Sequence, residues 1–300
     1  MPVGATWVDP LSLQALPPLP QLDLAVVGHV EMVSFLGVDR LPVAGQIAHA
    51  STCFDHAAGG GAVVAVQLAR LSGRRVSFFT ALGRDAAGHQ AVEELQALGL
   101  DMHVAWREAP TRRGITFIDA TGERTITVIG ERLAPAATDA LPWQILAGLE
   151  GVFVTASDAE GLCLARQARL LAATPRVRLP VLRQAAVKLD ALIGSATDPG
   201  ERYESEDLNP PPRWYVGTEG AIGGFVRPGG RFSALERTSA VRDAYGAGDC
   251  FAAGVTAGMA AGWELREAIS LGCHCGNACL NGHGPYQSQL TRQQIPTLLR

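Results

Sequence analysis

The stretch Val241-Arg-Asp243-Ala-Tyr245-Gly246-Ala247-Gly248-Asp249-Cys250-Phe251-Ala-Ala-Gly254 decides how the rest of the chain is read. A turn of glycine and alanine runs into small and apolar residues that continue to Trp263. This pattern predicts a buried helix starting near Gly246. A helix start presents unpaired backbone N–H groups and the positive end of the helix dipole. Glycines there allow a phosphate to approach the backbone. Asp249 falls in the first turn, where a carboxylate can simply cap the helix. It can also take the proton of a hydroxyl that attacks a phosphate held by the same turn. A dinucleotide fingerprint is excluded, because Phe251 stands where the third glycine belongs. A P-loop is excluded, because no Lys-Ser or Lys-Thr follows the glycines.

Working outward, the chain alternates strand and helix patterns. Residues 22–28 form an apolar run ending in Gly28, the pattern of a first buried parallel strand. Gly59-Gly60-Gly61 opens a helix over residues 62–71, either as a second ligand platform or as a hinge. A strand over 76–82 and a helix over 89–98 follow. Two β-rich blocks, about 33–56 and 102–130, interrupt the alternation and are expected to form a small sheet lying over the site. Beyond residue 140 we expect a strand at 151–155, a helix at 161–173, a proline-rich and weakly patterned stretch at 174–214, short strands at 214–216 and 224–226, and a helix at 264–281. Residues 1–21, rich in proline and leucine, read as an N-terminal extension, lying on the surface or partly disordered, ahead of one domain over 22–300.

Composition narrows the function class. The 300 residues are 47% hydrophobic with a net charge of −4, as befits a large globular core. No basic block points to nucleic acid, and no apolar run reaches the ~20 residues of a membrane span. Six cysteines without framework spacing fit a reducing cytoplasm. Cys273-His274-Cys275 with Cys279 matches no common zinc spacing and reads as buried structural residues. Cys250 reads the same way. His29 and His56 flank the expected substrate area. Arg112 and Arg113 precede a small-sheet strand and read as a solvated loop, ahead of the alternative that they reach a phosphate-bearing substrate. Asp158 and Glu160 end the 151–155 strand, where one of the two is a candidate to touch substrate.

Asp243-Ala-Tyr-Gly-Ala-Gly-Asp249 resembles the C-terminal signature of the ribokinase-like (PfkB) carbohydrate kinases, with Ala244 at its threonine position. Further segments resemble that family in collinear order: Leu41-Pro42 to Gly45, Ala58 to Leu71, Gly83 to Gly88, Gly122 to Thr125, and Thr218-Glu219-Gly220 with Gly223. The resemblance implies a three-layer α/β sandwich, with a mostly parallel central sheet, helices on both faces and a small β-lid. It implies an ATP-dependent kinase acting on a primary alcohol of a sugar or sugar-like molecule. Asp249 would be the base, and the N–H groups of Gly246, Ala247 and Gly248 would hold the developing charge. Glu31, Gly59, Gly60 and Val63 would face the substrate, and Ser195, Thr218, Gly220 and Gly223 the nucleotide. Asp198, aligned with the glutamate of the family's Asn-x-x-Glu, would act on Mg2+ through water. Asp243 and Tyr245 fall where some members bind a monovalent cation such as K+. Glu31 and Val33 replace the family's sugar-binding Asn and Asp, and Val63 replaces an Asn, which implies a substrate less hydroxylated or more apolar than ribose. The lid pieces resemble those that make dimer contacts in some relatives, which implies a homodimer through the lid. The rival reading is a non-catalytic or regulatory sugar- or nucleoside-binding protein on the same fold.

Overall fold

A computed structural model describes residues 9–45, 47–237 and 239–297. In chain order the strands and helices are β1 (Leu24–Val27), β2 (Glu31–Gly37), β3 (Thr52–Ala58), α1 (Gly60–Ser72), β4 (Val76–Gly83), α2 (Ala86–Ala97), β5 (Leu100–Arg107), β6 (Arg113–Ile118) and β7 (Arg124–Ile129). They continue as β8 (Gly151–Val154), α3 (Ala159–Ala165), β9 (Leu171–Ala173), α4 (Leu179–Ala185), β10 (Ala191–Ser195), β11 (Trp214–Thr218), β12 (Gly223–Arg227), β13 (Arg231–Ser233), α5 (Ala247–Ala260) and α6 (Leu265–Cys279).

The central sheet runs β13-β12-β11-β10-β9-β8-β1-β4-β5, parallel from β11 to β5 with an antiparallel β12–β13 edge. Successive residues of its strands feed two separate cores. Leu24 and Val26 pack with α1, α5 and α6, while Ala25 and Val27 pack on the other face with Leu162 of α3 and Leu182 of α4. Burial on both faces is why these strands read as continuous apolar runs rather than as alternation. The expected three-layer α/β sandwich is borne out. Among the described residues no helix is long and apolar enough to cross a membrane.

Strand β1 is where the winding reverses: the chain builds toward β4 and β5 on one side and toward β8 on the other. The crevice beyond the carboxyl end of such a strand is where open α/β sheets bind ligands. The second sheet, β3-β2-β6-β7, is built from chain inserted after β1 and after β5. It is tied to the body by an edge contact of Phe35 with Tyr245 at a ring separation of 4.9 Å, Phe35 itself being stacked within the sheet on Phe54 at 5.1 Å.

Several expectations are corrected. Residues 102–106, read as part of the small sheet, belong to β5, which pairs in parallel with β4 at the edge of the central sheet. The helix expected over 161–173 ends at Ala165, and Leu171–Ala173 is a buried central strand. The stretch 174–214 contains α4 and the central strand β10. Residues 1–8 of the expected N-terminal extension lie outside the described residues. The remainder is no surface appendage: Leu16 and Leu19 are buried, and the Leu11 N–H donates to Ser270 Oγ of α6 at 2.9 Å.

Candidate active site

The site is built on two glycine-led helix starts that meet at the carboxyl end of β1. Helix α5 begins after Gly246, whose φ of 81° is left-handed and suits glycine. A Cβ there would lie 3.0 Å from Val63 of α1, so Gly246 also lets the two helices close. At Gly248 the situation is reversed: an added Cβ would meet nothing within 4 Å. The first turn of α5 therefore faces open space with its N–H groups lacking intrahelical acceptors; the Ala247 N–H makes one long contact, 3.5 Å, to the Ala244 carbonyl.

Asp249 stands in that first turn. Its Oδ1 lies 2.9 Å from where a Cβ on Gly60 would be, so Gly60 makes room for the carboxylate. Gly59, at φ 87°, brackets the other side: a Cβ there would lie 3.2 Å from His29 and 3.3 Å from Glu31. The Gly59 N–H donates to the Tyr245 hydroxyl at 3.1 Å, joining the two helix starts. Gly61 is fixed by backbone, since an added Cβ would lie 2.6 Å from the His29 carbonyl oxygen.

Burial pushes the Asp249 carboxyl up to about 6, with Arg176 and Arg124 drawing it down and Glu201 and Glu31 raising it further. Such a group can accept a proton near neutrality. His29 is buried and its pKa is driven well below the ordinary histidine value, first by burial and then by Arg132, Arg112 and Arg176. It is therefore neutral, with Nδ1 3.3 Å from Thr155 Oγ1. Burial raises the Glu31 carboxyl, opposed by Arg112, Arg132 and Arg176. Arg112 Nε lies 3.3 Å from Glu31 Oε1.

On the other flank, Ser195 and Thr218 are register partners at the carboxyl ends of β10 and β11. Gly220, at φ 60°, has open space over it. Gly223 does not: a Cβ there would lie 2.1 Å from the Phe232 carbonyl oxygen, so this glycine is demanded by the β12–β13 hairpin. Asp198 caps a short turn by accepting from the Gly200 N–H at 2.8 Å, and its other oxygen lies 3.1 Å from Arg176 Nη2. The buried carboxylate here is Glu201, which the sequence reading did not single out. Its Oε2 accepts from the Ser195 N–H at 2.9 Å and its Oε1 pairs with Arg176 Nε at 2.5 Å. The overlooked signal is Pro199-Gly200, a turn that carries an acidic residue back toward the strand end.

Val63 requires a correction. Its side chain is fully buried beneath Gly246 and lines no open space. His56 is held by Glu94, with Nδ1 2.5 Å from Oε1, and serves to dock the small sheet on α2. Asp158 caps α3 by accepting from the Gly161 N–H. Cys250, Cys273, Cys275 and Cys279 are buried free thiols, in keeping with a structural role. Asp243 is fully buried and accepts from the N–H groups of Tyr245 and Gly284, both at 2.8 Å, with no cationic side chain paired to it among the described residues.

A family model, pfkB family carbohydrate kinase, matches residues 21–198 and 211–292, nearly the whole chain. The chain belongs to the pfkB family of carbohydrate kinases. This pfkB family member superimposes on the ribokinase of Thermotoga maritima with a TM-score of 0.72 at 20% identity, covering 91% of this chain and 97% of that one. The Arabidopsis thaliana ribokinase complexed with ribose and ATP gives the same four values. The adenosine kinase of Sinorhizobium meliloti gives 0.69 at 18%, covering 88% and 95%. At such identities the superpositions establish a shared fold. No curated protein sequence matches this pfkB family member.

Proposed function

We propose that this chain is an ATP-dependent phosphotransferase that phosphorylates a primary alcohol of a sugar or sugar-like molecule, with Asp249 as the base. The observation that carries the reading is a half-buried carboxyl, raised to about 6, beside the open first turn of a helix. Asp249 takes the proton of the substrate hydroxyl as its oxygen bonds to the γ-phosphorus. The bond from that phosphorus to the β,γ-bridging oxygen breaks, and ADP leaves with the electron pair. The N–H groups of the Gly246-Ala247-Gly248 turn stabilise charge on the transferred group without reorganising. Glu31, Gly59 and Gly60 face the substrate, and Ser195, Thr218 and Gly220 the nucleotide. The ribokinase of the same fold that is complexed with ribose and ATP supports the pairing of a sugar with ATP.

Mg2+ enters as part of the nucleotide substrate. Among the described residues no group of three His, Cys, Asp or Glu could hold a metal unaided, which suits an ion retained by phosphates and water. Glu201 and Asp198 are the carboxylates that would orient that water. Asp243 suits a monovalent cation, because burial raises its carboxyl and no side-chain cation is ion-paired with it among the described residues, Arg124 and His283 acting on it only from a distance. Ile126, Val128 and Ile129 lie exposed on edge strand β7, which supports a homodimer through the small sheet.

A second reading, a sugar- or nucleoside-binding protein without turnover, draws on one fact: Arg176 already pairs with both Asp198 and Glu201. ADP release from MgATP across sugars, sugar phosphates and nucleosides, with Asp249→Asn in parallel, separates the two. Turnover abolished in the variant supports the kinase. Binding without turnover supports the binder, and equal turnover in the variant removes Asp249 as base.

A further inference from the structure

Arginines crowd the substrate end of the site beyond what its carboxylates neutralise. The Nε of Arg112, the residue just before the small-sheet strand β6, is buried and lies 3.3 Å from Glu31 Oε1, yet has no hydrogen-bond acceptor of good geometry. Arg132 follows β7. A Cβ on Gly130 would lie 3.9 Å from the Arg112 Cα, so the backbones leading to the two arginines run close together, and both arginines act on Glu31. The Arg132 guanidinium is half-buried, donates to the Arg176 carbonyl at 2.5 Å and makes no ion pair among the described residues. Arg178 also lacks an ion pair among them, and its backbone is held at φ 85°, where side-chain-bearing residues are rarely found. Arg176 is already satisfied by Asp198 and Glu201. At this end the guanidinium groups of Arg112 and Arg132 therefore face one carboxylate, Glu31, and Arg178 lies near enough to Arg132 to repel it.

We propose that the substrate carries an anionic group, a phosphate or a carboxylate, in addition to its reacting hydroxyl, and that Arg132, with Arg112 and Arg178, holds it. This rests on the kinase reading above. Burial and the repulsion of Arg178 and Arg112 both draw the Arg132 pKa down, the state of a cation that lacks its counter-ion. Guanidinium groups suit the task because their forked donors match phosphate and carboxylate oxygens. The same arginines account for the apolar or charged residues at positions where neutral-sugar ligands were expected, since an anion supplies its own anchor. Arg112 pairs with Glu31, and Arg112 and Arg132 both act on Glu31 and His29 at the end of β1, which assigns the group to the acceptor substrate; the bond from Arg132 to the Arg176 carbonyl marks where it borders the nucleotide flank.

The test pairs each neutral compound with an anionic counterpart: fructose with fructose 6-phosphate, glucose with gluconate, and adenosine as a third neutral class. Binding without nucleotide is read by calorimetry and turnover with MgATP by ADP release, in the wild type, Arg132→Gln and Arg132→Lys. We expect an anionic member to be preferred at least about tenfold, with its Kd or KM raised about ten- to a hundredfold in Arg132→Gln. Arg132→Lys should recover part of this, with the KM for ATP and the Tm unchanged. Whether the phosphate or the carboxylate is preferred identifies the anion. Preference for a neutral compound, an unaffected Arg132→Gln, a loss falling on ATP, or no binding by any compound overturns the proposal. Arg132-dependent anion binding without turnover leaves it standing and sinks the kinase reading instead.

Discussion

Asp249→Asn should make this protein more stable while removing its activity. Burial lifts the Asp249 carboxyl from 3.8 to about 6. At pH 7.5 both the folded and the unfolded chain carry it ionised, and the folded one bears a cost of about 3 kcal/mol for doing so. Between about pH 4 and 6 the folded protein retains a proton that the unfolded chain has released, so this group's contribution falls as pH rises. The same arithmetic leaves about 1 kcal/mol at pH 4.5. A neutral asparagine avoids the cost. For a chain of this length 3 kcal/mol corresponds to roughly 5 °C in Tm. Differential scanning calorimetry of both proteins at pH 4.5 and 7.5 should therefore give a Tm gain that is about three times larger at the higher pH. A gain independent of pH, or a variant less stable than the wild type at pH 7.5, refutes the reasoning about burial. In the wild type the same carboxyl predicts that kcat/KM falls below about pH 6 with unit slope.

Gly248→Ala should leave Tm unchanged or slightly raised, because the methyl meets nothing in the structure and alanine favours helix. It should nonetheless lower kcat/KM about tenfold or more by standing where a phosphate must approach; unchanged kinetics would remove the phosphate from that turn. Glu201→Gln should raise the KM for MgATP and lower kcat more than Asp198→Asn does, because Glu201 is the buried member that receives the Ser195 N–H; the reverse order would return the role to Asp198. KCl should stimulate turnover over NaCl in the wild type and not in Asp243→Asn, as measured by ADP release. Sedimentation should find a dimer that Val128→Lys converts to a monomer, whereas a wild-type monomer would leave the β7 face without its partner.

The features legible in the sequence are those set by short-range chemistry. Gly246 to Asp249 read as a helix start because glycine placement and the following apolar run are local. Residues 22–28 read as a buried strand for the same reason. Pairing is not local, and there the reading failed. Residues 102–106 have the alternating look of a small-sheet strand, but their partner is β4, which lies beyond the whole of α2. Strands β9 and β10 are only a few residues long and sit among prolines, so their apolar runs resemble loop or helix ends. Val63 was placed on the substrate by alignment of a motif, whereas its helical phase turns it under Gly246. Glu201, Arg132 and Arg176 come from three separate loops, and only folding brings them to one place.

The tip of the β6–β7 hairpin touches the approach to the phosphate turn. The Gly122 carbonyl accepts the Ala244 N–H at 3.1 Å, and a Cβ on Gly122 would lie 2.4 Å from the Val241 carbonyl oxygen. The hairpin acts as a shim under the backbone that leads to Asp243 and Asp249. Residues 119–123 and 241–249 therefore form one mutational unit despite their separation in the chain. Changes in the two segments should not add, and a library that varies one while holding the other constant will score good combinations as failures.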